Sequence, residues 1–339
     1  MSKQQLISIV APAYNEEEVL PEFVKRTTAV LESMSDYDYE IVLVNDGSKD
    51  RTLEVIKQLK LSFPKITLVN LSRNFGKEIA MTAGLAESKG DALIVIDTDL
   101  QDPPELIPEL VAKWQEGFDM VYAKRKTREG ESWLKKATAA AFYKFMQNIG
   151  STPIPPNVGD FRLISRRVTD ALLQLPEKHR FMKGLFAWVG YPQTEVLYDR
   201  DARFAGDTKW NYWKLWNFAL EGLTSFTIAP LKIASYIGLA TALSAFLYGL
   251  FILVKALIWG DDVQGFPTIM ISMLFLGGVQ LLVLGVIGEY LGRAFNEVKQ
   301  RPLYFIESVD EARCEKQVEH VENEALGESS KSKPEERAA

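Results

Sequence analysis

The sequence predicts an α/β fold on a mostly parallel sheet, followed by a hairpin of two membrane-spanning helices. Three observations predict it. Short apolar runs alternate with helical patterns through the first 125 residues, the pattern of repeated βαβ units. One run, ALIVIDTDLQ from Ala92 to Gln101, ends abruptly in Asp97 and Asp99. A buried strand there delivers two carboxylates and the Gln101 amide to its carboxyl end, the edge where open α/β sheets bind ligands. Lastly, charge-free stretches of about 22 and about 26 residues lie toward the C-terminus, each long enough to cross a hydrocarbon core.

Strands are expected at Leu6–Ala11, Tyr39–Asn45, Ile66–Asn70, Ala92–Ile96 and Met120–Ala123, where β-branched residues cluster. Helices are expected between them at Glu17–Met34, Lys49–Leu61, Lys77–Ser88 and Pro104–Trp114. Asn15, Ser48 and Asp50 are candidate caps, and Pro103 and Pro104 open the fourth helix. The next region is less regular. Trp133–Ile149 reads as a helix, STPIPPN as a break, Phe161–Ile164 as a strand, Arg167–Leu175 as a helix and Thr194–Tyr198 as a strand.

The composition then shifts. Trp213, Trp216, Leu220 and Leu223 recur at helical spacing, which suggests a helix over 211–227 lying along a membrane surface. The two apolar spans are placed at 228–256 and 264–292. The connection IWGDDVQGF carries no Lys or Arg, whereas Lys209, Lys214 and Lys232 precede the hairpin and Arg293, Lys299 and Arg301 follow it. Positive flanks stay in the cytoplasm, so both termini are expected there, with a globular domain over 1–210. Glu289 and Arg293 are spaced to pair, and Gly277, Gly278, Gly285 and Gly288 to allow close helix packing, with homo-oligomerisation through the hairpin as one expectation. Residues 293–339 read as a cytoplasmic segment, charged and disordered from about Glu307.

Composition excludes several functions. A net charge of −6 argues against a nucleic-acid binder. One cysteine rules out an intrachain disulfide, and two distant histidines make a His/Cys zinc site improbable. The apolar stretch at the N-terminus is too short for a signal peptide. Both GxxxxGK[ST] and GxGxxG are absent, which removes support for kinase and dinucleotide readings.

The strand ends carry the chemistry. In APAYNEEE, Pro12 is expected to make a sharp exit, Tyr14 offers a flat ring to a base or sugar, and Glu16 can accept from ribose hydroxyls. In VNDGSKD, Asp46 can accept from an imide N–H and Gly47 permits a tight turn. In LSRNFGKEIA, Gly76 allows close backbone approach at a helix N-terminus that favours anions, with Arg73 and Lys77 adding positive charge. Each of these alone is also what a plain strand-to-helix turn looks like. Their order, ending in Asp-x-Asp, is far more specific. Carboxylate and amide oxygens suit a hard divalent cation, and such a cation suits a diphosphate.

With DTD, LQDPPE, VGDFRLISR, FMKGLFAWVG, AGDTKWNYWKLWNFALEGLTSF and the two spans, the chain resembles family 2 glycosyltransferases of the polyprenyl-phosphate branch. It is most similar to the bactoprenol glucosyltransferases and related to dolichol-phosphate mannose synthase. The resemblance covers nearly everything before the hydrophilic tail. It implies a GT-A, Rossmann-like domain transferring glucose with inversion from UDP-glucose to undecaprenyl phosphate, with Mg²⁺ or Mn²⁺, for O-antigen or other surface glycans. Pro12, Tyr14, Glu16 and Asp46 would surround the uridine, with Gly76 and Lys77 nearby. Asp97 would face ribose and metal, and Asp99 and Gln101 would hold the metal on the diphosphate. Asp160 takes the place of the family's proposed base. Arg125, Lys136, Arg162, Arg203 and Lys209 are the phosphate-binding candidates. Another donor sugar, of mannose or amino-arabinose type, remains open, because the loops that read sugar hydroxyls vary. A processive synthase, a flippase and a non-catalytic sensor fit less well with two spans and a full set of site acids.

Overall fold

The computed structural model describes residues 4–126, 158–178, 180–199, 229–259 and 265–312. The expected helix at 133–149, the break at 151–157 and the surface helix at 211–227 lie outside them. The described part opens with β1 (Gln5–Ala13), α1 (Leu20–Glu32), β2 (Tyr37–Asn45), α2 (Thr52–Ser62), β3 (Ile66–Leu71) and α3 (Lys77–Glu87). Then come β4 (Ala92–Val95), a 3₁₀ turn at Pro104–Leu106, α4 (Ile107–Gln115) and β5 (Met120–Arg125). After 157 follow β6 (Val158–Ser165), α5 (Arg166–Gln174), α6 (Met182–Trp188) and β7 (Gln193–Tyr198). Two long helices, α7 (Ala229–Trp259) and α8 (Phe266–Val298), precede a last strand, β8 (Ile306–Asp310).

Eight strands form one sheet in the order β7-β5-β6-β4-β1-β2-β3-β8. β1 pairs in parallel with β2 and β4, and β2 with β3, while β6 runs antiparallel to both β4 and β5. The connections from β1 lead outward to β2 and β3 on one side and to β4 on the other. The crevice at the carboxyl ends of β1 and β4 is therefore the topological switch point, where α/β sheets bind ligands.

Period-two alternation splits the core into two layers. Ile7, Ile9, Ile41, Leu43 and Ile94 face one side and pack on Phe23 of α1, Ile56 of α2 and Leu110 of α4. Val10, Leu93 and Val95 face the other and pack on Met81 and Leu85 of α3, Val168 of α5 and Phe186 of α6. Both faces are covered, so the central strands read as unbroken apolar runs.

Four expectations change. β1 does not leave the sheet at Pro12; it continues to Ala13, with Pro12 level with Val44. β4 has ended by Val95, level with Val10, so the missing proline N–H breaks no ladder on that side. Asn15 does not cap α1. It adopts φ 55° and its side chain accepts from the Lys49 amide, tying the β1 and β2 exits together. The helix that contains the second expected span runs on to Val298, six residues past that span's expected end, and Arg293 pairs with Glu289 at 3.1 Å one turn apart near its end. Finally, the segment read as disordered from Glu307 supplies β8, which pairs antiparallel with β3. Its exposed, five-residue pattern gave little signal.

α7 and α8 are the two helices long and apolar enough to cross a membrane, with only 6% and 0% of their most apolar windows buried. Rows of exposed Leu, Ile, Phe and Met on both are left uncovered by the described residues. Such a surface is stable in lipid and not in water. Gly277, Gly278, Gly285 and Gly288 have open space where a Cβ would stand, so among the described residues they do not mediate the packing of α7 on α8.

Candidate active site

The Asp97 segment turns out of β4 with alternating burial. Asp97, Asp99 and Gln101 are partly accessible, while Thr98, Leu100 and Asp102 are buried. The three oxygen-bearing side chains expected at a metal thus share the accessible positions. Leu100 at φ 57° turns the chain, and the Asp99 carboxylate accepts from the Gln101 amide at 3.2 Å.

β6 places its own acid beside this turn. Val95 is level with Arg162 in the antiparallel register. Two residues further along each strand, that register brings Asp97 alongside Asp160. Lys77, the first residue of α3, bridges them: its Nζ lies 2.6 Å from Asp97 and 2.5 Å from Asp160. One cation thus holds two acids from opposite strands. The Lys77 side chain is 42% exposed, whereas that of Asp160 is 10% exposed.

The two acids differ in electrostatics. Burial pushes Asp97 up, and Lys77 does not fully offset it because Asp160 and Asp102 repel a second charge. Asp160 is also buried, but the charges of Lys77, Lys183 and Arg162 and the hydrogen bond from Lys77 overcome this and hold it well below the usual carboxylate range. Lys77 is desolvated, yet the paired acids raise it well above an ordinary lysine. Next to it, burial and Asp160 push Glu78 up to about 7, against Lys77, Lys183 and the Met182 amide.

Asp46, expected beside the uridine, is engaged by backbone amides. It is 2% exposed, and its two carboxylate oxygens accept from the amides of Phe75 at 2.7 Å and Gly76 at 3.0 Å. Its carbonyl accepts from the Asn74 side chain. Asp46 therefore shapes the loop between β3 and α3. Gly47, at φ 60°, lets that loop close, since a Cβ would lie 2.3 Å from the Arg73 carbonyl carbon. Gly76, at φ 97°, starts α3 and so aims Lys77 at the acids. Tyr14 and Glu16 stand half-buried at the neighbouring exit; the Glu16 amide donates to Thr52.

Arg162 does not present its charge to a phosphate. It is 3% exposed, donates to the Gly159 carbonyl at 2.9 Å and stacks 3.9 Å above the Phe186 ring. Burial lowers its pKa to about 10, against the pull of Asp160 and Glu78. It props up the strand that carries Asp160. Arg125 stays at the rim, half-buried, donating to the Tyr198 hydroxyl. Lys136, Arg203 and Lys209 lie outside the described residues.

Sequence reasoning missed three residues here. Asp102, buried, accepts a short hydrogen bond from the Tyr198 hydroxyl and ties β7 to the Asp97 turn. Alternation through DTDLQD was the available signal. Lys183 and Glu78 add charge around Asp160, and Lys183 lies in the FMKGL stretch already singled out.

The region that carries the carboxylate turn and the apolar hairpin each fall within a known family model. The model for "Glycosyl transferase family 2" matches residues 8–173, and that for "GtrB C-terminal hairpin" matches 229–294. An uncharacterized glycosyltransferase of Synechocystis is 56% identical over 88% of this chain and 94% of its own. A prophage bactoprenol glucosyl transferase homolog of Escherichia coli is 50% identical over 89% of this chain and 99% of its own. The chain belongs to glycosyl transferase family 2. The bactoprenol glucosyl transferase of Shigella phage SfX is likewise 50% identical, over 89% of this chain and 99% of that one. Among solved structures, glucosyl-3-phosphoglycerate synthase from Mycobacterium tuberculosis aligns at a TM-score of 0.42, with 20% identity over 64% of this chain and 75% of that chain. This transferase therefore carries the family's catalytic domain and a hairpin that associates it with a membrane.

Proposed function

We propose that this transferase moves glucose from UDP-glucose to undecaprenyl phosphate. The observation that carries this reading is the 50% identity to bactoprenol glucosyl transferases along nearly the whole of both chains, hairpin included. A lipid acceptor also gives the hairpin a purpose, since tethering reduces the search for it to two dimensions. On this reading both termini are cytoplasmic, as the basic flanks of the hairpin favour.

Asp97, Asp99 and Gln101 fit a Mg²⁺ or Mn²⁺ ion. Mg²⁺ is usually held by one or two carboxylates together with substrate phosphates. Two acids and an amide at accessible positions are such a partial set, completed by the donor's diphosphate. Bound there, the ion would neutralise charge on the departing UDP.

The chain's own residues do the rest. The acceptor phosphate oxygen attacks the anomeric carbon while the bond from that carbon to the UDP oxygen breaks, and the bonding pair leaves with UDP. The anomeric carbon inverts. A phosphate monoester has a second pKa of about 6 and needs little help to ionise at neutral pH. Asp160, whose carboxyl is held ionised by its cations, is thus a positioning group that fixes Lys77. Lys77 keeps Asp97 and Asp160 from repelling the incoming anions. Arg125 stands at the rim for a phosphate.

The test is a transfer assay on the purified full chain with undecaprenyl phosphate, Mg²⁺ and a panel of radiolabelled nucleotide sugars. Label extracted into organic solvent only from UDP-glucose supports the reading. Lipid-linked product from another donor alone overturns the sugar, and no product from any donor overturns the enzyme.

A further inference from the structure

On the far side of the Asp46-held loop lies a cavity of about 650 Å³. Ser72, Arg73, Phe75, Arg301, Leu303 and Phe305 are among its walls. It is formed where the chain leaves α8 and returns to the sheet. Gln300 at φ 47° and Pro302 turn the chain, the Ser72 amide donates to the Phe305 carbonyl at 3.0 Å, and β8 then pairs with β3. The end of α8 is held as well, since the Glu297 carboxylate accepts from the Lys178 amide at 2.8 Å.

Three properties point to one ligand class. Arg73 and Arg301 form no ion pair with any described residue. Beside the polar Ser72 and Asn74, the walls are apolar, formed by Phe75, Ile79, Leu303 and Phe305, the last 59% exposed. The cavity also begins three residues past Val298, the end of the second apolar helix. Guanidinium groups recognise phosphate, and basic residues just outside a membrane helix bind anionic headgroups. A bare inorganic anion has no use for the apolar wall, whereas a lipid headgroup carries a glycerol and methylenes to cover it.

We propose that this cavity binds the headgroup phosphate of an anionic membrane phospholipid, with Arg73 and Arg301 on the phosphate and Leu303 and Phe305 along its glycerol and first methylenes. The site is separate from the Asp97–Lys77–Asp160 cluster: Lys77 reaches the two acids, whereas Ser72, Arg73 and Phe75 line the cavity. It does not depend on which sugar is transferred.

The test uses the full chain in nanodiscs of phosphatidylcholine with a minor fraction of phosphatidylglycerol, and native mass spectrometry to count lipid retained on release. Wild type should keep phosphatidylglycerol selectively, and Arg301→Gln should lower that retention at least ten-fold. Phe305→Glu, which puts a carboxylate on the apolar wall, should do the same with both arginines present. Lys299→Gln removes a neighbouring charge that stacks on Phe295 and does not line the cavity, and it should retain lipid as wild type does. Thermal unfolding confirms that each variant is folded. Unchanged retention in both Arg301→Gln and Phe305→Glu overturns the proposal, as does an equal loss in Lys299→Gln. It is also overturned if inorganic phosphate or undecaprenyl phosphate protects the chain and phosphatidylglycerol does not.

Discussion

Two carboxylate sites sit on the same sheet edge, one past β2 and one past β4 with β1 between them, and are held in opposite ways. Asp46 is saturated by backbone amides that cannot leave without unfolding the loop. Asp97 and Asp160 share one lysine side chain, long, jointed and 42% exposed. A carboxylate fixed by backbone builds structure, while one held by a movable cation can exchange that cation for another. This divides the acids of the site into those that shape it and those that react to ligands.

The largest effects should come from the exchangeable side. Asp99→Asn and Asp160→Asn should each lower transfer about 10²–10³-fold with little change in melting temperature, the scale seen when a charge-stabilising group is lost. A large drop in melting temperature in either variant would erase the contrast with Asp46. Asp46→Asn should be the reverse. It leaves one of the two loop amides unsatisfied, costing about 1–3 kcal/mol in denaturant unfolding, and loosens UDP as a consequence.

Lys77→Met tests the shared cation. Asp160 has its carboxyl lowered in the folded state, so the stabilisation it draws from Lys77 is present at neutral pH and is lost as pH falls below the ordinary carboxylate range. The variant should be less stable than wild type by about 1–2 kcal/mol near pH 7, a figure discounted for the exposure of the lysine, and the gap should close on acidification. A gap independent of pH would mean lost packing rather than lost charge.

Glu78→Gln should have the smallest effect on transfer. Its carboxyl is raised to about 7, so the folded state holds a proton that the unfolded chain gives up at lower pH. Stability must therefore fall between about pH 4.5 and 7 in wild type. The amide should flatten that slope, so that the variant loses less stability than wild type between pH 5 and pH 8. Melting curves at both pH values check it.

Much of this architecture could be read from residue order. Strands β1 to β4 are buried on both faces, so they are apolar throughout and visible by composition alone. The carboxylate turn was visible because charge directly after such a strand is conspicuous. What escaped depends on long-range contact. Asp160 and Lys77 meet Asp97 only through the β6 register and the start of α3. Asp46 looked like a ligand contact because a side chain's partner is invisible when it is a backbone amide thirty residues on. Arg162 looked like a phosphate ligand because burial under Phe186 is decided by α6. β8 escaped because an edge strand exposed on most positions has no hydrophobic period to detect.

β8 changes how the catalytic domain can move. A domain hung from a membrane on a single chain segment swivels and samples a cone of orientations above the lipid. Here the chain that leaves α8 is laced into the sheet edge by β8, and Lys60 anchors that strand through Asp310 and Glu311. The Glu297–Lys178 contact adds a second point of attachment. Two separated attachments suppress precession and set both the height and the tilt of the switch-point crevice above the bilayer. The length of the linker from Lys299 to Phe305 thus acts as a ruler between the end of the second apolar helix and the edge of the catalytic sheet.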